Sequence, residues 1–269
     1  MREIKPRSPL AFLLIGIAVL YAVILFIAPL VAIIYGAFKD GIDPIIETLT
    51  DPSVLHAFEV SLVLALGAVL INTIFGLVTA WVLVRQKFRG RGIFNTLIDI
   101  PFVFSPVIAG YAMIVLFGRG GWLAPPIFPI VFALPGILLA KTFVSLPFVA
   151  REVQPVLDSI SPEPEDAAYT IGASRWATFR RVILPELWTA LLYGIVLTFA
   201  RAVGEFGAVS VVGGNIEGYT ETATSFVFRA LNDRNSTGAY VVSLILCLVS
   251  VLILFLMNLL RRRMVVSRG

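Results

Sequence analysis

From Leu10 to Phe38 the chain carries no charged residue. That run exceeds the roughly 20 residues a helix needs to cross the hydrocarbon core of a bilayer. A lone segment crossing lipid must satisfy its own backbone groups, so it has to be helical. A short basic segment with Arg2, Lys5 and Arg7 precedes it, as in a secretory leader. The apolar core of a leader is only about 7–15 residues, however, so the run is read as a retained span. Five further apolar stretches follow at about 58–84, 93–117, 127–150, 187–213 and 239–260. The spacing predicts six transmembrane helices in an all-α polytopic membrane protein. A single transmembrane domain occupies 1–269, with its longest polar interruption at 151–186 and no separate soluble domain. Only 14% of residues are charged, against about 25% in a typical soluble domain.

Six spans put both ends on one side, and the basic residues say which. Fifteen of the 21 Lys and Arg fall in the N-terminal segment, 85–91, 151–186 and the C-terminal tail. Only Lys39, Arg119, Arg229 and Arg234 fall in the other loops, while Lys141 and Arg201 lie at membrane depth. An excess of cations marks the cytoplasmic side, so both termini and 151–186 are expected in the cytoplasm. The net charge of +4 then serves topology and does not imply nucleic acid. One Cys and one His exclude an internal disulfide and a Cys/His metal cluster. Cys247 lies in an apolar run and His56 in a polar loop. The glycosylation triplet at Asn235 is too short a pattern to carry weight.

Within the long polar segment, 161–185 reads as helix, glycine, helix, proline. Ser161 and Pro164 suit a helix start. Glu163, Glu165 and Asp166 follow in its first turn, facing the positive end of the helix dipole. Gly172 suits the left-handed residue that closes a helix. Ser174 can cap a second helix, on which Trp176, Phe179 and Ile183 form an apolar stripe beside Arg175, Arg180 and Arg181. Pro185 is expected to stop that helix. By composition such a segment fits a solvated loop with interfacial helices first, and a bent helix pair that docks into a partner's groove second.

Charges inside a bilayer are expensive and point to function. Arg201 and Glu205 are four apart and share a helix face. They fit an intrahelical ion pair, or a site lining a pathway or a seam between subunits, where an arginine would suit an anion. Asp99 and Lys141 sit near span ends, from which they can snorkel to water; Asp99 remains a third candidate for the pathway or seam. Prolines in the third and fourth spans fit either ordinary kinks or helices around a pathway. There is no GxxxxGK[ST] phosphate loop and no catalytic set, so the chain is not expected to be an enzyme or to hold a cofactor.

The run Asp166-Ala167-Ala168, three residues, Gly172, nine residues, Val182-Ile183-Leu184-Pro185 resembles the Glu-Ala-Ala loop of ATP-binding cassette (ABC) importer permeases. Asp166 stands where that family usually has Glu, preceded by Glu165, and Val182 stands where it has Ile. Further stretches are similar to the sulfate branch of the molybdate/sulfate permease family. They are Ile98–Phe102, Ser105–Val107, Ala133–Ile137, Phe143–Glu152 and Ala200–Val212, and the likeness is greatest to the W-type sulfate/thiosulfate subunits. The resemblance implies a type I ABC importer permease fold in the cytoplasmic (inner) membrane. It implies that Glu165, Asp166, Ala167, Ala168, Gly172, Leu184 and Pro185 couple the chain to a dimer of ATPase subunits, which would hold the ATP and Mg. The other implied partners are a second, T-type permease and an extracytoplasmic sulfate-binding protein. Two readings stay open beside sulfate: a molybdate or tungstate permease homodimer, and an ion-coupled secondary anion carrier that needs no ATPase.

Overall fold

The computed structural model describes residues 9–123 and 129–266. The N-terminal Arg2, Lys5 and Arg7, part of the 118–126 turn, the expected start of the fourth span at 127 and the tail's Arg268 lie outside the described residues. Every described element is helical: α1 Pro9–Phe38, α2 Asp43–Thr50, α3 Pro52–Arg85, α4 Arg91–Leu97, α5 Ile100–Val103, α6 Pro106–Phe117 and α7 Leu134–Ser159. Then come α8 Glu163–Thr170, α9 Arg175–Thr178, a π-helical turn Phe179–Ile183, α10 Leu184–Val203, α11 Gly207–Gly213, α12 Ala223–Asn232 and α13 Ser236–Val266.

Five helices are long and apolar enough to cross a membrane, and a sixth crossing arises if α4–α5 and α6 together make one broken span. The third apolar stretch is therefore not the straight helix its hydropathy suggests. It bends by 110° between α5 and α6. Phe104 and Ser105 both leave helical geometry, and Pro106 opens the next helix; Ser105 does so because the residue before a proline is pushed out of the helical region.

The fifth stretch differs too. α10 stops at Gly204, and the short α11 follows after Phe206. At its other end Pro185 does not stop the helix. The path from Arg175 to Val203 is one span, because a π-helical turn sits just before the proline and the Leu184 N–H donates to Phe179 O. The wider turn accommodates a residue that has no N–H to give and whose ring crowds an ordinary α turn. Helices thus extend into both ends of 151–186, and the irregular segment shrinks to the residues around α8. His56, expected in a loop, lies on α3 instead; Asp51 caps that helix from outside, accepting from Ser53 N at 2.8 Å.

The core is α7 held between α3 and α10, with small residues at the contacts. A Cβ on Gly76 of α3 would lie 2.7 Å from Val149 Cβ, and one on Gly194 of α10 would lie 2.9 Å from Val149 Cα. Glycine on both flanks lets three backbones close around Val149, the usual way helices associate in lipid. α3 buries Ala57, Ser61, Ala65, Ala68, Asn72, Gly76 and Ala80, while Leu62, Leu66, Leu70 and Phe75 face out. Val54, Val60, Leu64 and Leu83 are buried as well, but small and polar residues inside with large apolar ones outside fit lipid as the solvent. α1, with its uninterrupted apolar sequence, has none of its central window buried and meets α13 where Gly36 packs on the Tyr240 ring.

The two poles are distinct. At one, Thr237 Oγ1 donates to Asp40 Oδ2 at 2.8 Å, and α12 and the start of α13 pack on the start of α3 through Val54, Ala57, Phe226 and Val242. At the other, the end of α3 meets α8 and the approach to α10.

Candidate functional site

Local chemistry builds the α8 loop. Its first turn holds Glu163, Glu165 and Asp166, and Ser161 Oγ accepts from Glu163 N at 3.3 Å. The exit is a left-handed glycine, Gly172 with φ +83°. Gly172 N donates to Tyr169 O and Ala173 N to Ala168 O, each at 3.0 Å, so the last carbonyls of α8 are satisfied. Ser174 then caps α9, accepting from Ala177 N at 3.2 Å.

The residues singled out for coupling do not share one environment. Glu165 turns inward and pairs with Arg85 at the end of α3, 2.5 Å away, with most of both side chains covered. Asp166, Ala167 and Gly172 are exposed, as is Pro185, and Ala168 is half-buried. Leu184 packs in the cluster around Leu157 and Leu187. An apolar ridge stands out beside Gly172: Ile171 is 86% exposed and Trp176 68%. Trp176 stacks on Phe179, which meets Trp81 of α3 edge-on at 5.6 Å. The loop therefore presents a carboxylate, a small-residue face and a hydrophobic ridge on a base tied to both α3 and α10.

Asp99 is held rather than free. Arg151 of α7 grips it with two hydrogen bonds of 2.7 and 2.6 Å, and also donates to Asn95 O, Asn95 Oδ1 and Gln154 Oε1. This bidentate clamp pins the broken α4–α5 segment to α7. Beside it a cavity of about 280 Å³ is lined by Val84, Arg91, Arg151, Gln154, Pro155 and Asp158.

At membrane depth Arg201 and Glu205 do form an ion pair, 2.5 Å apart, with Arg201 about one-third exposed and Glu205 covered. Glu205 Oε1 also accepts from Ala208 N at 2.8 Å, bridging the break between α10 and α11. Lys141 does not snorkel. It is fully buried and donates its Nζ proton to Ala202 O, a carbonyl left without an N–H partner because α10 ends there. Below it Asn72 Nδ2 donates to Ser145 Oγ at 2.9 Å, and Ser145 Oγ donates to Lys141 O.

Four participants escaped the sequence reading: Arg85, Arg151, Lys141 as an internal ligand, and Glu221. The last is buried and accepts from Arg229 Nε at 2.7 Å; this hydrogen bond foremost raises the Arg229 pKa above its ordinary value. The first three join segments far apart in the chain, whereas Glu221 and Arg229 are near neighbours in sequence. The one local signal was Gly204-Glu205, a helix breaker followed by an acid.

The profile described as "Binding-protein-dependent transport system inner membrane component" matches residues 72–266. The sulfate transport system permease protein CysW of Synechocystis sp. is 43% identical over 94% of this chain and 93% of its own. The CysW protein of Escherichia coli K12 is 42% identical over 97% and 91%, and the CysT protein of the same organism 37% over 97% and 95%. Among solved structures, a bacterial ABC transporter involved in alginate import superposes with TM-score 0.77 at 16% identity, covering 94% of this chain and 95% of that one. That fold is the type I importer permease fold expected from the sequence. With a family profile spanning most of its helices and long, strong relatives on either side, this multi-pass membrane protein belongs to the inner membrane components of binding-protein-dependent transport systems, as an ABC importer permease.

Proposed function

We propose that this chain is one of two permease subunits of an ATP-driven importer for sulfate or thiosulfate in the cytoplasmic membrane, with its termini and the α8 loop on the cytoplasmic side. The observation that carries the substrate is similarity at 42–43% identity, over nearly the whole chain, to proteins named as sulfate permeases. The other permease is a T-type paralogue, and an extracytoplasmic protein delivers the anion. Two ATPase subunits bind ATP and Mg and take the α8 loop into a groove. Asp166, Ala167 and Ala168 provide its contact face, Gly172 its shape and Ile171 and Trp176 its apolar ridge.

The geometry supplies a route for force. α8 is bolted to α3 by Arg85 and Glu165. Through the Ser174 cap it is continuous with the span Arg175–Val203, a rod of about 40 Å at 1.5 Å per residue. That rod ends beside Arg201 and Glu205. Closure of the ATPase dimer therefore displaces the charged break at membrane depth, where the pathway or the seam with the second permease lies.

The test is uptake of labelled sulfate by cells lacking their own sulfate permeases and given this chain with its partners. Uptake is expected only with an intact phosphate loop in the ATPase subunit. Uptake that survives loss of that loop would establish an ion-coupled carrier, and uptake of molybdate alone would change the substrate.

A further inference from the structure

We infer that Lys141 is the source of the surplus positive charge that makes the α10–α11 break attractive to an oxyanion, and that Arg201 only presents it. The inference rests on the transport reading above. Arg201 is the partly exposed member of the group, but its charge is matched by Glu205 at 2.5 Å. A pair of that kind, with the arginine outward, offers a passing anion only the short-ranged attraction of a dipole and no net charge. Lys141 changes the balance: two cations and one carboxylate leave one positive charge in excess.

Its position is built, not incidental. Lys141 is buried between α7 and α10 with no exposed surface. Its Nζ donates to Ala202 O at the carboxyl end of α10, the negative end of that helix. Ala202 directly follows Arg201 and stands three residues before Glu205, so this hydrogen bond sets the ammonium beside the pair. The α3–α7 contact one turn away is made without a charge, by Asn72 donating to Ser145 Oγ and to Thr142 O. In a low-dielectric surround a buried charge acts over several ångströms with little screening, so Lys141 need not touch the anion to attract it. It is a positioning residue, because it also fixes the end of α10 from which Arg201 projects.

Charge compensation separates this role from a structural one. Lys141→Met removes the surplus. Lys141→Met combined with Glu205→Gln restores it through an unmatched Arg201, and the glutamine keeps a carbonyl oxygen for Ala208 N. Each variant is assembled with the ATPase and the second permease in lipid. ATP hydrolysis is stimulated by binding protein loaded with whichever anion stimulates the parent, and thermal unfolding is followed alongside. Lys141→Met is expected to lose about tenfold of the stimulated rate, and the double variant to recover to within about threefold of the parent. Parent-like stimulation in Lys141→Met, or an assembled double variant as inactive as the single, overturns the inference. If Lys141→Met does not assemble, Lys141→Arg is compared with Lys141→Gln, which keeps a donor for Ala202 O without the charge. Arginine is expected to retain the rate and glutamine to lose it, and equal rates overturn the inference. A parent stimulated by another oxyanion revises the substrate alone. A parent stimulated by none refutes the transport reading, and the inference with it.

Discussion

Gly172 shows how one residue fixes the shape of a contact surface. A Cβ there would meet nothing within 4 Å, so space is not what selects glycine. Its φ of +83° does, since a left-handed conformation costs an ordinary residue about 1–2 kcal/mol and a β-branched one more. Gly172→Val is therefore expected to leave the assembly intact yet lower stimulated ATP hydrolysis about tenfold, while Gly172→Asn, which tolerates that conformation, stays within about threefold. Equal effects of the two substitutions would place the requirement elsewhere. The Arg85–Glu165 pair makes a second prediction at this scale. Most of both side chains is covered, so removing one partner strands the other. Arg85→Ala should destabilise the chain by about 2 kcal/mol, between the values for exposed and fully buried pairs. A lower unfolding temperature that Glu165→Gln partly restores in the double variant would bear this out; an unchanged one would contradict it.

Elements are held by close approach. Gly76 and Gly194 admit Val149 from two sides, so Gly76→Leu should force α3 from α7 and abolish recovery of folded chain from membranes. Recovery at the parental level would mean the contact is slack. How much of each element was legible in the sequence follows from how local its causes are. The Gly172 turn and the Ser174 cap are set by residues within three positions of each other, and they stand as the sequence implies. The first, second and sixth spans are long unbroken apolar runs, and their helices follow. The breaks at Phe104 and Gly204 were hidden because hydropathy averages over them. Pro185 misled because a π-helical turn, not visible in composition, accommodates it. Lys141 misled most. A lysine near a span end ordinarily reaches for water, and only the folded chain shows that an unpaired carbonyl at Ala202 lies closer.

Across the whole molecule one rod, Arg175–Val203, connects two of the places where the chain departs from plain apolar helix. The α8 loop sits at its start and the Lys141, Arg201 and Glu205 group at its end. A carrier driven by ion gradients has no use for an exposed acidic and aromatic loop at the foot of such a rod; an importer that borrows its energy does. The most direct measurement is ATP hydrolysis by the purified assembly in lipid, with sulfate-loaded binding protein added, comparing the parent with Asp166→Arg combined with Gly172→Trp. The account predicts that the loaded protein stimulates hydrolysis in the parent and that the altered loop abolishes the stimulation. Equal stimulation in both, or no ATPase recovered with the parent chain, would contradict it.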